Sequence, residues 1–255
     1  MSRSVTSTSP LPPRTLPREE LRLVNRSHPL PAQLAPPSLA PALPGRPDIL
    51  LESRAAAALT ALVGSLGRPG EIVPVSGFRS RQEQQQIWDD SLRDKGADFT
   101  AKYVAWPGCS EHETGFAIDL GFNRPPIDFI RPAFPRQGIC QRFRERAAAY
   151  GFIERYQADK EQITGIGAEP WHFRYVGAPH AALMEARGLA LEEYIQLLER
   201  CAADGSHLYH EDARGRWELW PVPELPSVFA ALPRDAALFH TGAGFLVAAL
   251  RRTCR

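Results

Sequence analysis

The sequence predicts an α+β fold: a small antiparallel sheet with helices packed against it, followed by a small β-rich C-terminal appendage. Three observations carry this reading. Phe116 to Phe122 alternates Phe, Ala, Ile, Asp, Leu, Gly, Phe, the two-residue period of a strand with one apolar face. Helix patterns recur along the chain, the first after Asp48 and the second opened by the capping box Ser80-Arg81-Gln82-Glu83. From His207 the helical pattern stops, and short strand-like runs follow at Trp217–Val222, Ala237–His240 and Gly244–Ala248.

Taken in order, residues 1–20 are rich in Ser, Thr, Pro and Arg without apolar periodicity, which predicts a disordered leader. The same stretch lacks the apolar core of a secretory signal. Leu21 to Gly45 is Pro-rich and reads as an extended arm laid over the body. His28 precedes a proline in this arm and reads as an exposed or capping histidine. Asp48 is the expected cap of a helix through about Leu66, with Leu50, Leu51, Leu59 and Leu62 on its buried side. Gly64 and Gly67 end it. Glu71 to Val75 reads as a strand, and Pro74 places it at an edge or a bulge. The Ser80 helix runs to about Gly96. Ala97 to Gly108 reads as a loop with aromatic character, and Asn123 to Pro135 as an irregular excursion. Arg136 to Tyr150 is a helix closed by Gly151. Phe152 and Ile153 start a short strand, and Trp171 to Tyr175 alternates aromatic with polar residues like a core strand. Pro179–Arg187 and Leu191–Ala202 are helices split by Gly188. The expected organisation is a leader over 1–20, one domain over 21–202 and the appendage over 203–255.

Composition narrows the function classes. At 255 residues the chain suits one large domain with or without an appendage. Thirty basic and twenty-nine acidic side chains give a formal net charge of +1. That balance makes no electrostatic case for nucleic acid or an anionic membrane as partner. The four cysteines form no Cys-x-x-Cys pair and read as reduced thiols in a cytosol. No run of about eighteen apolar residues predicts a membrane span. Nothing in the sequence sets an oligomeric state.

The chemistry gathers in Cys109–Asp119 and in Glu169-Pro170-Trp171-His172. His112, Asp119 and His172 read as three protein ligands of a zinc ion, a number that leaves a catalytic zinc one open position. Glu169, three residues from a ligand, then stands where a general base takes a proton from water. On a strand, Asp119 shares its face with the small residues Ala117 and Gly121, which leaves room for metal and substrate. A carboxylate on so apolar a strand is costly to bury unpaired. Gly115 permits the change of direction after His112. Glu169 and His172 are an odd number of residues apart and would leave a regular strand on opposite faces. Pro170 makes a bulge or turn the expectation there. Arg79 stands just before a helix N-terminus, beside amide donors that suit anions. Glu111 and Glu113 read as side chains at the surface or behind the ligands. Cys109 invites a Cys–His nucleophile reading, but no Asn-type orienter accompanies it. His207, His210 and His240 read as solvent-exposed, and His180 as capping or decorating its helix.

The pattern Ser-x-His-x-x-Gly-x-Ala-x-Asp followed by Glu-x-x-His resembles the VanX/VanY family of zinc D,D-peptidases. The resemblance extends through Leu23–Leu30, Ser76-Gly77-Phe78-Arg79-Ser80, Asp128–Pro132 and Gly151–Tyr156, covering roughly Leu21 to Leu198. It looks most like the cytoplasmic VanXY type and soluble VanY forms. The resemblance implies Zn²⁺ as cofactor and hydrolysis of D-Ala-D-Ala termini, in the free dipeptide, the pentapeptide precursor or both, with a link to glycopeptide resistance. It assigns Arg79 to the scissile carbonyl and oxyanion. It assigns Gln84 to the terminal carboxylate, with Gln82, Gln85 and Gln86 as alternatives. Ser110 it assigns to the substrate terminus, with a helix cap as the other reading. An L,D-carboxypeptidase or L-Ala–D-Glu endopeptidase on the same scaffold, and a non-catalytic zinc peptide-binding module, are the competing readings. The Asn25–Pro29 and Gly151–Tyr156 matches favour the D,D class.

Overall fold

The computed structural model describes residues 18–32, 37–68, 70–212, 215–223, 232–233 and 236–252. The elements run β1 (Leu39–Pro41), β2 (Leu50–Glu52), α1 (Ser53–Ser65), β3 (Ile72–Ser76), α2 (Arg81–Lys95), α3 (Ala97–Tyr103) and β4 (Ala117–Phe122). Next come α4 (Gly138–Ala147), β5 (Phe152–Tyr156), α5 (Glu161–Thr164), β6 (Glu169–Tyr175), α6 (Ala178–Arg187) and α7 (Leu191–Asp204). The last four are β7 (Leu208–Asp212), β8 (Gly215–Pro223), β9 (Ala237–His240) and β10 (Phe245–Arg252). The α+β expectation holds.

The central sheet has the order β3-β4-β6-β5 and every pair is antiparallel. The alternation of β4 sorts its faces as the sequence requires. Ile118 and Leu120 enter a core with Leu59 and Leu62 of α1, Phe143 of α4, Phe152 and Phe173. Asp119 faces the other way, directly opposite His172 of β6. Pro74 does what its missing N–H demands. It lies on the edge strand β3, and the register shifts between Pro74 and Ser76. A second irregularity falls where Pro170 predicts one. Between the pairs Glu154–Phe173 and Tyr156–Glu169, β6 advances four residues while β5 advances two. That extra length brings Glu169 round to His172.

Several expectations need correction. Glu52, not Asp48, caps α1, its carboxylate accepting the Arg54 amide at 2.8 Å. Leu50–Glu52 is committed to β2, paired with β1, so the helix begins only after it. Asp48 instead meets Arg46 at 2.8 Å. Part of the expected loop, Ala97–Tyr103, is helical. Gly96, at φ +86°, ends α2 and starts α3, and Thr100 of α3 joins Ser91 of α2 at 2.8 Å. Seven residues show no full amphipathic period, so the pattern hides them. The arm is not extended throughout, since Asn25 and His28 close a turn with reciprocal backbone bonds. Residues 1–17 of the expected leader lie outside the described residues. Arg18 to Glu20 do not fit that expectation, because Arg18 bridges to Phe239 of β9 and Glu20 is fully buried.

The C-terminal strands form a second antiparallel sheet, β7-β8-β10-β9. One face, through Leu208, Leu219, Phe239 and Val247, shares a core with α6, α7 and Leu21 and Leu23 of the arm. Cys109, Cys140 and Cys201 are free thiols, while Cys254 lies outside the described residues. No helix among the described residues is long and apolar enough to cross a membrane.

Candidate active site

The fold brings His112, Asp119 and His172 together, buried, with one ligand atom of each within 4.8 Å of the others. His112 comes from a 3₁₀ turn, Glu111–Thr114, that Gly115 closes at φ +76°. Its Nδ1 sits 2.7 Å from the Gly77 carbonyl oxygen. A carbonyl only accepts, so Nδ1 carries the hydrogen and Nε2 keeps its lone pair, 3.2 Å from Asp119 Oδ2. Burial, then the charge of Arg79, holds the His112 imidazole down at about 4 and therefore neutral. His172 presents Nδ1 to Asp119 Oδ1 at 3.0 Å and to Glu169 Oε2 at 3.6 Å. Burial opposes charge on His172, yet the neighbouring Asp119 and Glu111 carboxylates outweigh it and push the imidazole up to about 9.

This donor set suits a metal ion. Asp119 Oδ1 is buried and has no aligned hydrogen-bond partner despite its closeness to His172. Two imidazole nitrogens and one carboxylate match the ligand chemistry of a catalytic zinc, with a position to spare. A cation at this point supplies the positive charge that the carboxylates otherwise draw from a proton on His172.

Glu169 and Arg79 line the same site. Glu169 is buried, and desolvation pushes its carboxyl up to about 8, with the Asp119 charge adding to the rise. Arg79 lies immediately before the Ser80 cap of α2, as the sequence places it. Its Nε donates to Ser76 Oγ at 2.8 Å, Nη1 to Gln84 Oε1 at 3.3 Å and Nη2 to Asp119 Oδ2 at 3.0 Å. The amides at the start of α2 are less free than expected, because the Glu83 carboxylate accepts the Ser80 N–H and Ser80 Oγ accepts the Glu83 N–H. Gln84 is fully buried and also donates to the Ala105 carbonyl at 2.8 Å. Ser110 is buried beside His112, and its side chain makes no cap hydrogen bond, which removes the cap reading. Arg79, Gln84, Ser110, His112, Asp119, Glu169 and His172 all line one narrow cavity of about 40 Å³. These seven are residues the sequence analysis proposed for the site, while the alternatives Gln82, Gln85 and Gln86 do not line it.

Sequence reasoning left the partners of the surrounding charges open. Of its two readings for Glu111 and Glu113 the surface one falls away, since both are buried, and Glu111 lies behind His172. Glu113 accepts the Gly108 amide at 2.7 Å and meets Arg81 at 3.2 Å. Glu111 meets Arg155 at 2.8 Å and Arg174 at 3.3 Å, and these cations outweigh burial and hold its carboxyl well below the usual range. A signal for Arg174 was available: it has the parity of His172 on a core strand, and a buried guanidinium needs an acid. Tyr156 stacks at a tilt on His172, with ring centroids 4.8 Å apart. The Cys109 thiol is pushed up by burial and by Glu113, the reverse of an activated nucleophile. His180 is fully buried against Tyr194 and Phe239, away from the cluster, where a capping or decorating residue was expected. His207 stacks on Trp220 and bonds Glu218, and the metal-capable cluster among the described residues does not include it.

Comparison with known proteins agrees. The VanY family profile, D-alanyl-D-alanine carboxypeptidase, matches residues 48–178. The bifunctional D-Ala-D-Ala dipeptidase and carboxypeptidase VanXYC of Enterococcus gallinarum is 42% identical over 175 residues, 68% of this chain and 92% of that protein. The crystal structure of the vancomycin resistance D,D-dipeptidase VanXYg, in complex with a D-Ala-D-Ala phosphinate analogue, superposes with a TM-score of 0.84. It is 42% identical and covers 92% of this chain and 94% of VanXYg, more than the segment before the C-terminal sheet can supply. The LdcB LD-carboxypeptidase is a weaker match, with a TM-score of 0.59 at 34% identity over 68% of this chain and 84% of LdcB. Family profile, relatives and structures converge: the chain belongs to the VanY family of D-alanyl-D-alanine carboxypeptidases, which are zinc metallopeptidases.

Proposed function

We propose that this chain hydrolyses the bond between two C-terminal D-alanines, as the free dipeptide, the pentapeptide precursor or both, with Zn²⁺ held by His112, Asp119 and His172. The observation that carries this is the meeting of those three donors, Glu169 and Arg79 around one cavity. When bound, the metal polarises the attacking water and the scissile carbonyl. Glu169, 3.6 Å from His172 Nδ1, takes the proton from water and passes it to the leaving amine. A carboxyl pushed upward by burial is matched to both halves of that transfer. The Arg79 guanidinium, held by Ser76 and Gln84, stabilises the developing oxyanion. Gln84 and Ser110 orient the substrate terminus. The work belongs in the cytoplasm, where dipeptide and nucleotide-linked pentapeptide are both found, and removing the terminal D-alanine there deprives glycopeptides of their target.

The test is incubation with D-Ala-D-Ala and with a pentapeptide, with and without chelator, beside Glu169→Ala. Release of D-alanine that chelator abolishes and zinc restores supports the reading. Glu169→Ala should keep zinc and lose about 10²–10⁴-fold in rate. Full turnover in that variant refutes the base, and turnover insensitive to chelator refutes the metal.

A further inference from the structure

Behind the metal-capable cluster lies a second group of charges. Glu111, Arg155, Arg174 and Glu192 are all less than a tenth exposed. Their contacts follow a direction. His172 turns Nδ1 to Asp119 and Nε2 to Glu111 Oε2, 3.5 Å away. Neither that Nε2 nor that Oε2 has a hydrogen-bond partner among the described residues. The other Glu111 oxygen accepts from Arg155 Nε at 2.8 Å. Arg155 then sends its remaining two nitrogens as a fork onto Glu192, at 2.9 and 2.7 Å. Glu192 also accepts the Asn25 amide of the arm at 3.2 Å.

An imidazole that ligates a metal through one nitrogen needs its other nitrogen aimed at an acceptor, which fixes the ring and raises its basicity. Glu111 is the acceptor that faces His172 Nε2. Of the two cations on Glu111 Oε1, Arg155 at 2.8 Å is closer than Arg174 at 3.3 Å, and a guanidinium held bidentately has a set orientation. Arg155 is held in that way by Glu192, on α7, beyond the residues 48–178 that the family profile matches. A cluster serving packing alone is poorly served by charges, since apolar side chains fill such space at lower desolvation cost. We propose that Glu192 is a positioning residue for His172, acting through Arg155 and Glu111, so that α7 is a working part of the metal site.

The proposal rests on His172 being a metal ligand, and the experiment separates the two. Metal-free full-length protein and its variants are titrated with Zn²⁺ against a chromophoric chelator, with circular dichroism following the fold of each metal-free form. Wild type should bind one Zn²⁺ and His172→Ala should lose it. Glu111→Gln should bind about 10–100-fold more weakly. Glu192→Gln should weaken binding by a smaller factor, roughly threefold or more, and lower kcat with KM unchanged. The double variant should bind no worse than Glu111→Gln, because Glu192 acts through Glu111. Wild-type zinc affinity in Glu192→Gln, or factors that multiply in the double variant, overturns the proposal and leaves the metal site standing. Failure of the wild type to bind Zn²⁺ removes both. Should Glu192→Gln fail to fold, Arg155→Lys decides: it keeps the charge but loses the fork, so weakened zinc binding is expected, and wild-type affinity refutes the relay.

Discussion

The buried His180 should make the protein sensitive to acid, by an amount the structure sets. Its Nδ1 meets Tyr194 Oη at 2.9 Å, and its Nε2 is buried with no hydrogen-bond partner among the described residues. A protonated imidazole has two N–H donors, and here one has nowhere to go. Burial, with the charge of Arg18 adding to it, lowers this imidazole to about 3, against 6.5 for an ordinary histidine. Between those values the unfolded chain binds a proton that the folded one refuses. Stability is therefore full above pH 6.5 and falls as pH drops toward 3. Each unit below 6.5 costs about 1.4 kcal/mol, so pH 5 should cost about 2 kcal/mol. For a chain of this size that is about 4–8 °C in Tm. The assay is urea unfolding at pH 7.5 and 5.0, with chelator present throughout, for wild type and His180→Phe. The variant loses the Tyr194 bond, costing about 1 kcal/mol at both pH values, and with the imidazole it also loses the proton linkage. The wild type should lose about 2 kcal/mol more than the variant between the two pH values. Equal losses would refute the reasoning.

Other substitutions test the scaffold and the site. A Cβ at Gly77 meets the Leu50 carbonyl oxygen at 2.2 Å, so Gly77→Ala should destabilise by about 1–3 kcal/mol and, by moving the carbonyl that holds His112, weaken zinc binding. Urea unfolding and chelator competition read the two effects. Ser80→Ala removes the cap of α2 and should cost about 1 kcal/mol in the same unfolding assay. Arg79→Lys keeps the charge but cannot hold Ser76, Gln84 and Asp119 together, so kcat should fall about tenfold or more. A raised KM with kcat intact would make Arg79 a binding residue instead.

What was legible in the sequence follows from the range of the forces involved. The two-residue period of β4 separates Ile118 and Leu120 from Asp119 locally, so both faces were readable. Pro74 and Pro170 announced their irregularities because a missing N–H breaks a ladder wherever it falls. The residues proposed as ligands and base could be picked out because residue types and spacing suggested the chemistry, and the fold brings them together. What stayed hidden depends on partners distant in sequence. Nothing near Glu111 tells that Arg155 neutralises it, or near Arg155 that Glu192 does. Asp48 looked like a helix cap because the strand pairing that claims Leu50–Glu52 is tertiary. α3 is too short to display its own period.

The docking of Arg18 to Leu23 has a consequence for the order of assembly. Arg18 exchanges backbone hydrogen bonds with Leu238 and His240, and Leu23 donates to Thr241. On the other side, Arg174 grips the Glu20 and Arg22 carbonyls at 3.1 and 2.9 Å. The arm precedes both β6 and β9 in the chain, so during synthesis it waits for partners made long after it. Its lock closes only once β9 has been made, and chains truncated before β9 should keep that segment open to proteolysis.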